Sequence, residues 1–138
     1  MHMQGTPQTM QAEPHYDDVL GEVGDFFSRR LAKLTEHGVI GEQVALDPGI
    51  GFGKNLDHNI KLLSGLNQFS VPQRPLLVGV SRKSFIGNLL GTPIEDRLPA
   101  SLACAVWSVI EGAHVVRVHD VAETVQAVRM AEALKEKL

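Results

Sequence analysis

The chain has 138 residues, 43% of them hydrophobic and 21% charged, which is enough apolar material for one domain with its own core. A net charge of −3 and an isoelectric point near 6.0 exclude a general attraction to nucleic acid or anionic membrane, so any anion site has to be local. The single cysteine, Cys104, excludes an internal disulfide and a cysteine-based zinc site and suits a reducing cytoplasm, and no apolar run approaches the ~20 residues of a membrane span.

MHMQG followed by TPQTMQAEP reads as the last residues of a strand and its loop, so the chain is expected to begin inside a fold. DDVLGEVGDFFSRRLAKLTEHG then places Val19, Val23, Phe27, Leu31 and Leu34 on one helical stripe, with Gly38 as its stop and His37 helping to close the end. Three β-rich runs follow, QVALD (43–47), RPLLVGVS (74–81) and AHVVRVHD (113–120). Their lack of polar alternation predicts parallel strands buried on both faces. Helices are expected over 57–69, 84–90 and 99–111, with Pro99 in a first turn and Ser81 or Ser84 capping the helix at 84. A last helix is expected from 121 to the terminus, with Val121, Val125, Val128 and Leu134 facing inward. The spacing predicts one α/β domain over 1–138 made of about four (βα) units, the first truncated. Four such units are half of an eight-fold barrel, whose open sheet edges need covering.

In a barrel of this kind chemistry collects where strands hand over to helices. DPGIGFGKN (47–55) is neither a P-loop, since Pro48 and Asn55 stand where Gly and Ser or Thr are needed, nor a G-x-G-x-x-G fingerprint. It offers Asp47 at a strand end, glycines that let backbone approach a flat ligand, and Phe52 to lie over it. An ionised carboxylate takes two parallel hydrogen bonds from an N–H-rich heterocycle, while a glycine-rich turn capped by Asp47 is an equally available reading. VGVSRKS (78–84) places Arg82 and Lys83 at a helix N-terminus, where they oppose the dipole unless an electron-rich ligand lies between. Gly79 leaves room for one, and the plainer reading is two solvated cations. In VVRVHD, Arg117 and His119 share one strand face and form a clamp for phosphate oxygens; the structural alternative is a lone strand histidine beside a partnered arginine. No cluster has metal-ligand spacing.

MHMQGTPQTMQ, LDPGIGFGKN, LLVGVSRKSFIG, RLPASLACAV and VVRVHDV, in this order, are similar to the dihydropteroate synthase family, and the likeness covers essentially the whole chain. The resemblance implies the C-terminal half of a TIM (β/α)8 barrel that joins p-aminobenzoate to 6-hydroxymethyl-7,8-dihydropterin diphosphate in folate synthesis. It implies Mg²⁺ as cofactor, a homodimer, a cytoplasmic location, sulfonamides as inhibitors, and no nucleic-acid or membrane partner. By the same likeness Asp47, Lys83, Gly79 and Met1 bind the pterin, and Phe52, Gly51, Ser81 and Arg82 bound the p-aminobenzoate pocket. Arg117 and His119 hold the diphosphate, and the catalytic set is Asp47, Lys83, Arg117 and His119. The family's Mg²⁺ ligand and further pterin contacts come from an N-terminal half that this chain does not contain, so the isolated chain is expected not to turn over. Two alternatives stand beside it: a non-catalytic, self-associating half-barrel, and a pterin-binding methyltransferase relative, which has no need of SRKS or the Arg-x-His clamp.

Overall fold

In the computed structural model, which describes residues 1–70 and 73–137, short parallel strands are flanked by helices that return the chain from each strand end to the start of the next. The first helix, α1 (Val19–Glu36), starts at Asp18, whose carboxylate accepts the Leu20 N–H, and buries Val19, Val23 and Phe27 on the expected stripe. It stops as expected. The N–H groups of Gly38 and Val39 return to the carbonyls of Thr35 and Leu34, and His37 Nδ1 lies 2.8 Å from the Lys33 carbonyl.

The run 43–47 is shorter as a strand than its composition suggests. A 3₁₀ turn takes Gly41–Gln43, and parallel pairing reduces to a bridge between Leu46 and Leu76. α2 (Leu56–Ser64) is capped by Asn55, which accepts the His58 N–H, and the rest of the expected 57–69 helix is a 3₁₀ turn, Leu66–Ser70. β1 (Leu77–Gly79) leads to α3 (Ser84–Leu90), a 3₁₀ turn at Ile94–Asp96, and α4 (Leu98–Ile110) with Pro99 in its first turn. β2 (Val115–Arg117) pairs with β1 in parallel, Leu77 opposite Val115 and Gly79 opposite Arg117, before α5 (Val121–Lys135). Leu138, to which α5 was expected to run, lies outside the described residues. Beside this two-stranded sheet, residues 46–47 bridge to Leu76, and the His2 N–H donates to the Asp47 carbonyl.

The core lies between this sheet and α1, α2 and α3, where Phe27, Leu62, Leu66, Val78, Val80 and Ile86 are almost fully buried. The expectation that every strand is buried on both faces holds for Val78 and Gly79 of β1 and fails for β2, which is the sheet edge among the described residues. The inward placement of the α5 stripe fails for the same reason: Val121 is 60% exposed and Val125 43%, and with Val115, Val116 and Val128 they line an apolar groove of about 650 Å³. Nothing described packs on that edge, so the stripe faces a groove instead of a core. Trp107 is half exposed, and its indole N–H donates to the Leu63 carbonyl at 3.0 Å.

Candidate functional site

Parallel strands point their C-terminal ends the same way, so the residues that follow them meet at one rim. Asp47, Lys83 and Arg117 meet there. Asp47 is buried; Oδ1 accepts the Gly49 N–H at 2.8 Å and Oδ2 lies 4.0 Å from Arg117 Nη2. Lys83 donates to the Ile50 carbonyl, and its ammonium sits 4.5 Å from the centre of the Phe52 ring. Burial chiefly lowers its pKa to about 8, with Asp47 pulling it up and Arg117 pushing it down. Gly79 leaves the space that the Arg117 guanidinium enters, for a methyl there would stand 3.0 Å from Nη2, and Gly51 faces the Lys83 stem in the same way.

The buried carboxylate thus already faces a planar, N–H-rich partner. That pair is weak. At 4.0 Å, with the Arg117 side chain 59% exposed, it is worth about 0.5 kcal/mol. Lys54 adds a third cation: it is 3% exposed, and burial chiefly lowers its pKa to about 8, with Asp47 pulling it up and Lys83 pushing it down. Three cations around one carboxylate leave a local positive excess in a chain of net charge −3.

The other expected site residues are placed differently. Ser81 caps nothing: its hydroxyl accepts the His119 N–H at 3.2 Å and lies 2.9 Å from His119 Nδ1, so it orients that imidazole. In the tautomer whose Nδ1 accepts from Ser81, Nε2 is the donor. Ser84 caps nothing either, because α3 starts at Lys83 without a side-chain cap. Arg82 has the left-handed φ of +57° and turns to Asp120, its Nε donating to Oδ2 at 3.0 Å and Nη2 to Oδ1, which lowers the pKa of Asp120 and raises its own. Ser101 accepts the Arg82 N–H and Arg97 donates to its carbonyl, completing the brace. The two cations at 82 and 83 that opposed the helix dipole therefore have separate partners: Asp120 for one, the Ile50 carbonyl and Asp47 for the other.

Met1 is half exposed and borders a cavity of about 220 Å³ beneath α1, with Phe26, Phe27 and Leu46. The glycines of 49–53 also serve another purpose than ligand approach. Gly49 and Gly53 admit the backbone of His2 and Gln4, which presses on the loop.

Sequence reasoning passed over the residues that hold this loop. The Lys54 ammonium lies 3.0 Å from His2 Nδ1 and 3.0 Å from the Phe52 carbonyl, the Tyr16 hydroxyl donates to Gly53 at 2.8 Å, and Asn59 Oδ1 accepts the Gly51 N–H at 2.7 Å. Asp120, Arg97, Ser101, Lys54 and His2 stand inside the motifs already singled out; Tyr16 and Asn59 carry no comparable signal.

His2 gives the site a measurable acid limit. Burial, then Lys54, then the chain's amino terminus lower its pKa from 6.5 to about 4. Between those values the unfolded chain binds the extra proton, so stability falls as pH drops from 6.5 to 4. The expected loss is about 2 kcal/mol once solvent screening is allowed for, read as a lower urea midpoint at pH 4 than at pH 6.5 that His2→Gln removes.

A family model described as pterin binding enzyme matches residues 1–119. The dihydropteroate synthase of Escherichia coli K12 is 54% identical over 133 residues, covering 96% of this chain and 47% of that protein. A crystal structure of Yersinia pestis dihydropteroate synthase with a sulfonamide drug complex superposes with a TM-score of 0.96 at 44% identity, over 99% of this chain and 50% of that one. The Xanthomonas albilineans enzyme in complex with 7,8-dihydropteroate gives 0.86 at 39% identity, over 88% and 47%. The chain spans about half the length of the curated relatives it matches, and its parallel α/β architecture corresponds to one half of their barrel.

Proposed function

The chain belongs to the pterin-binding enzyme family, and we propose that it forms the diphosphate- and pterin-binding half of a dihydropteroate synthase. The observation that carries this reading is the meeting of Asp47, Lys83 and Arg117 at one rim, with His119 oriented by Ser81 on the adjoining strand end. The relatives' names support a synthesis of dihydropteroate, and the proposed reaction is condensation of p-aminobenzoate with a dihydropterin diphosphate.

In that reaction the methylene C–O bond to diphosphate breaks, the aniline nitrogen forms a C–N bond to the same carbon, and the nitrogen loses a proton. Asp47 accepts hydrogen bonds from the pterin N–H edge and offsets positive charge spreading into the ring as the leaving group departs. Lys83, protonated below pH 8, donates to the pterin carbonyl edge. Gly79 and Met1 belong to the pterin side of this reading, and Phe52, Gly51, Ser81 and Arg82 to the p-aminobenzoate side, with Ser81 and Arg82 acting through His119 and Asp120. Arg117 and His119 Nε2 receive the diphosphate. Arg117 lies over Gly79 and is held only by an exposed pair, so its guanidinium can reach towards the phosphates at small cost.

Mg²⁺ belongs to the same proposal, brought on the diphosphate. There it would offset charge on the leaving group, while among the described residues no three His, Cys, Asp or Glu side chains gather to hold an ion. A homodimer and a cytoplasmic location complete the reading; exposed Trp107 and Ile60 on the outward faces of α4 and α2, and the lone cysteine, support them. Arg117→Ala tests the clamp by calorimetry. Wild type should bind pterin diphosphate more tightly than plain pterin. The variant should lose about tenfold or more of that advantage while plain pterin binds at least as well as before. Equal binding of both ligands by wild type, unchanged in the variant, would sink the assignment.

A further inference from the structure

We propose that Lys54 is a positioning residue for the pterin site: its ammonium ties the tip of the 47–53 loop to the segment that holds the loop's base, and so sets Asp47 and Phe52 relative to one another. This rests on the pterin-binding reading above and names a residue outside the ligand-facing set. The link is a closed circuit of hydrogen bonds. At the base the His2 N–H donates to the Asp47 carbonyl at 2.9 Å; from the His2 ring, Nδ1 accepts from the Lys54 ammonium; and the same ammonium donates to the Phe52 carbonyl. The third face of the ammonium looks on the Tyr16 ring at 5.8 Å.

A methionine would fill nearly the same volume in this buried position without the desolvation cost of an ammonium. A lysine is useful there only if its donors are needed, and two acceptors 50 residues apart in sequence, His2 Nδ1 and the Phe52 carbonyl, use them. His2 has to be neutral to accept, which its pKa of about 4 provides at neutral pH. The charged or titratable groups acting on Lys54 and its imidazole partner are Asp47, Lys83 and the chain's amino terminus, with His58 and Tyr16 packed alongside. None of the bonds points at a ligand, so Lys54 acts through Asp47 and Phe52.

Lys54→Met removes the donors and keeps the bulk. Amide exchange followed by NMR should speed up about tenfold or more at Gly49, Gly51 and Phe52, whose N–H groups donate to the Asp47 carboxylate, Asn59 Oδ1 and the Gly49 carbonyl, while amides of α4 keep their rates. The His2 ring should titrate above 4 yet below 6.5, because a cation is gone and burial remains. Leu62→Ala, which weakens the core by a cavity, should leave that titration where it is. Calorimetry with plain pterin should show about a tenfold loss for Lys54→Met. If Lys54→Met does not fold, Lys54→Gln, which keeps a donor and loses the charge, should give the same His2 shift. Wild type that binds no pterin would overturn the functional reading, and loop exchange with the His2 titration would then decide the role of Lys54. Wild-type loop protection and pterin affinity in a folded Lys54→Met would overturn the inference.

Discussion

Gly49→Ala is expected to cost about 3–5 kcal/mol, a fifth or more of the 5–15 kcal/mol that holds a domain of this size together. Two effects add. The φ of +68° at Gly49 charges any side chain about 1–2 kcal/mol for the left-handed conformation. The new methyl would also overlap the His2 carbonyl oxygen and stand 3.0 Å from its carbon. His2 cannot yield cheaply: its N–H is bonded to Asp47, its ring packs edge-on against Phe26 at 4.9 Å, and Lys54 holds it from below. Moving it breaks those bonds at about 1 kcal/mol each and leaves a buried ammonium short of acceptors. Gly91→Ala separates the two effects, because Gly91 has the same φ of +68° with nothing within 4 Å of the added methyl. Urea titration should place Gly91→Ala about 1 kcal/mol below wild type and Gly49→Ala several kcal/mol below it. Equal losses would mean that the pressure of residues 2–4 on the loop has been misjudged.

Asp47→Asn is expected to weaken plain pterin binding by about a hundredfold or more. An amide of the same shape can still accept one hydrogen bond, but its NH₂ faces either the pterin N–H edge or Arg117, donor against donor. Losing charge-assisted bonds of about 1.5–3 kcal/mol each accounts for the factor. The same change leaves Lys54, Lys83 and Arg117 with no carboxylate among them. The free protein should therefore also lose about 1–3 kcal/mol, with the lysines titrating below 8 once the group that raises their pKa is gone. Calorimetry for affinity and a pH series of urea midpoints for stability check the two parts separately. Undiminished pterin binding would remove Asp47 from the site.

Helices were legible in the chain because the signals that start and stop them are local. Asp18 and Asn55 cap the turns they precede, Pro99 sits where a missing N–H costs nothing, and the 3.6-residue spacing of Val19, Val23 and Phe27 declares the buried face of α1. Strand ends were legible as motifs, since an apolar run that stops in Asp, Ser-Arg-Lys or Arg-Val-His carries its own contradiction. The strands themselves were overextended, because β composition does not say how many residues find a partner: 43–47 shrinks to one bridge, and β2 remains an edge.

What the amino-acid order determined alone was therefore the (βα) alternation and the set of charged residues delivered to one rim, both readable within a few residues of chain. Tertiary structure alone decided which cation meets which anion. Arg82 goes to Asp120 across 38 residues, Lys54 goes inward to His2 across 52, and Arg117 leans over Gly79 to Asp47. Such pairings depend on which strand ends become neighbours and how deeply each charge is buried. Both are properties of the assembled sheet and helices and have no counterpart in sequence spacing.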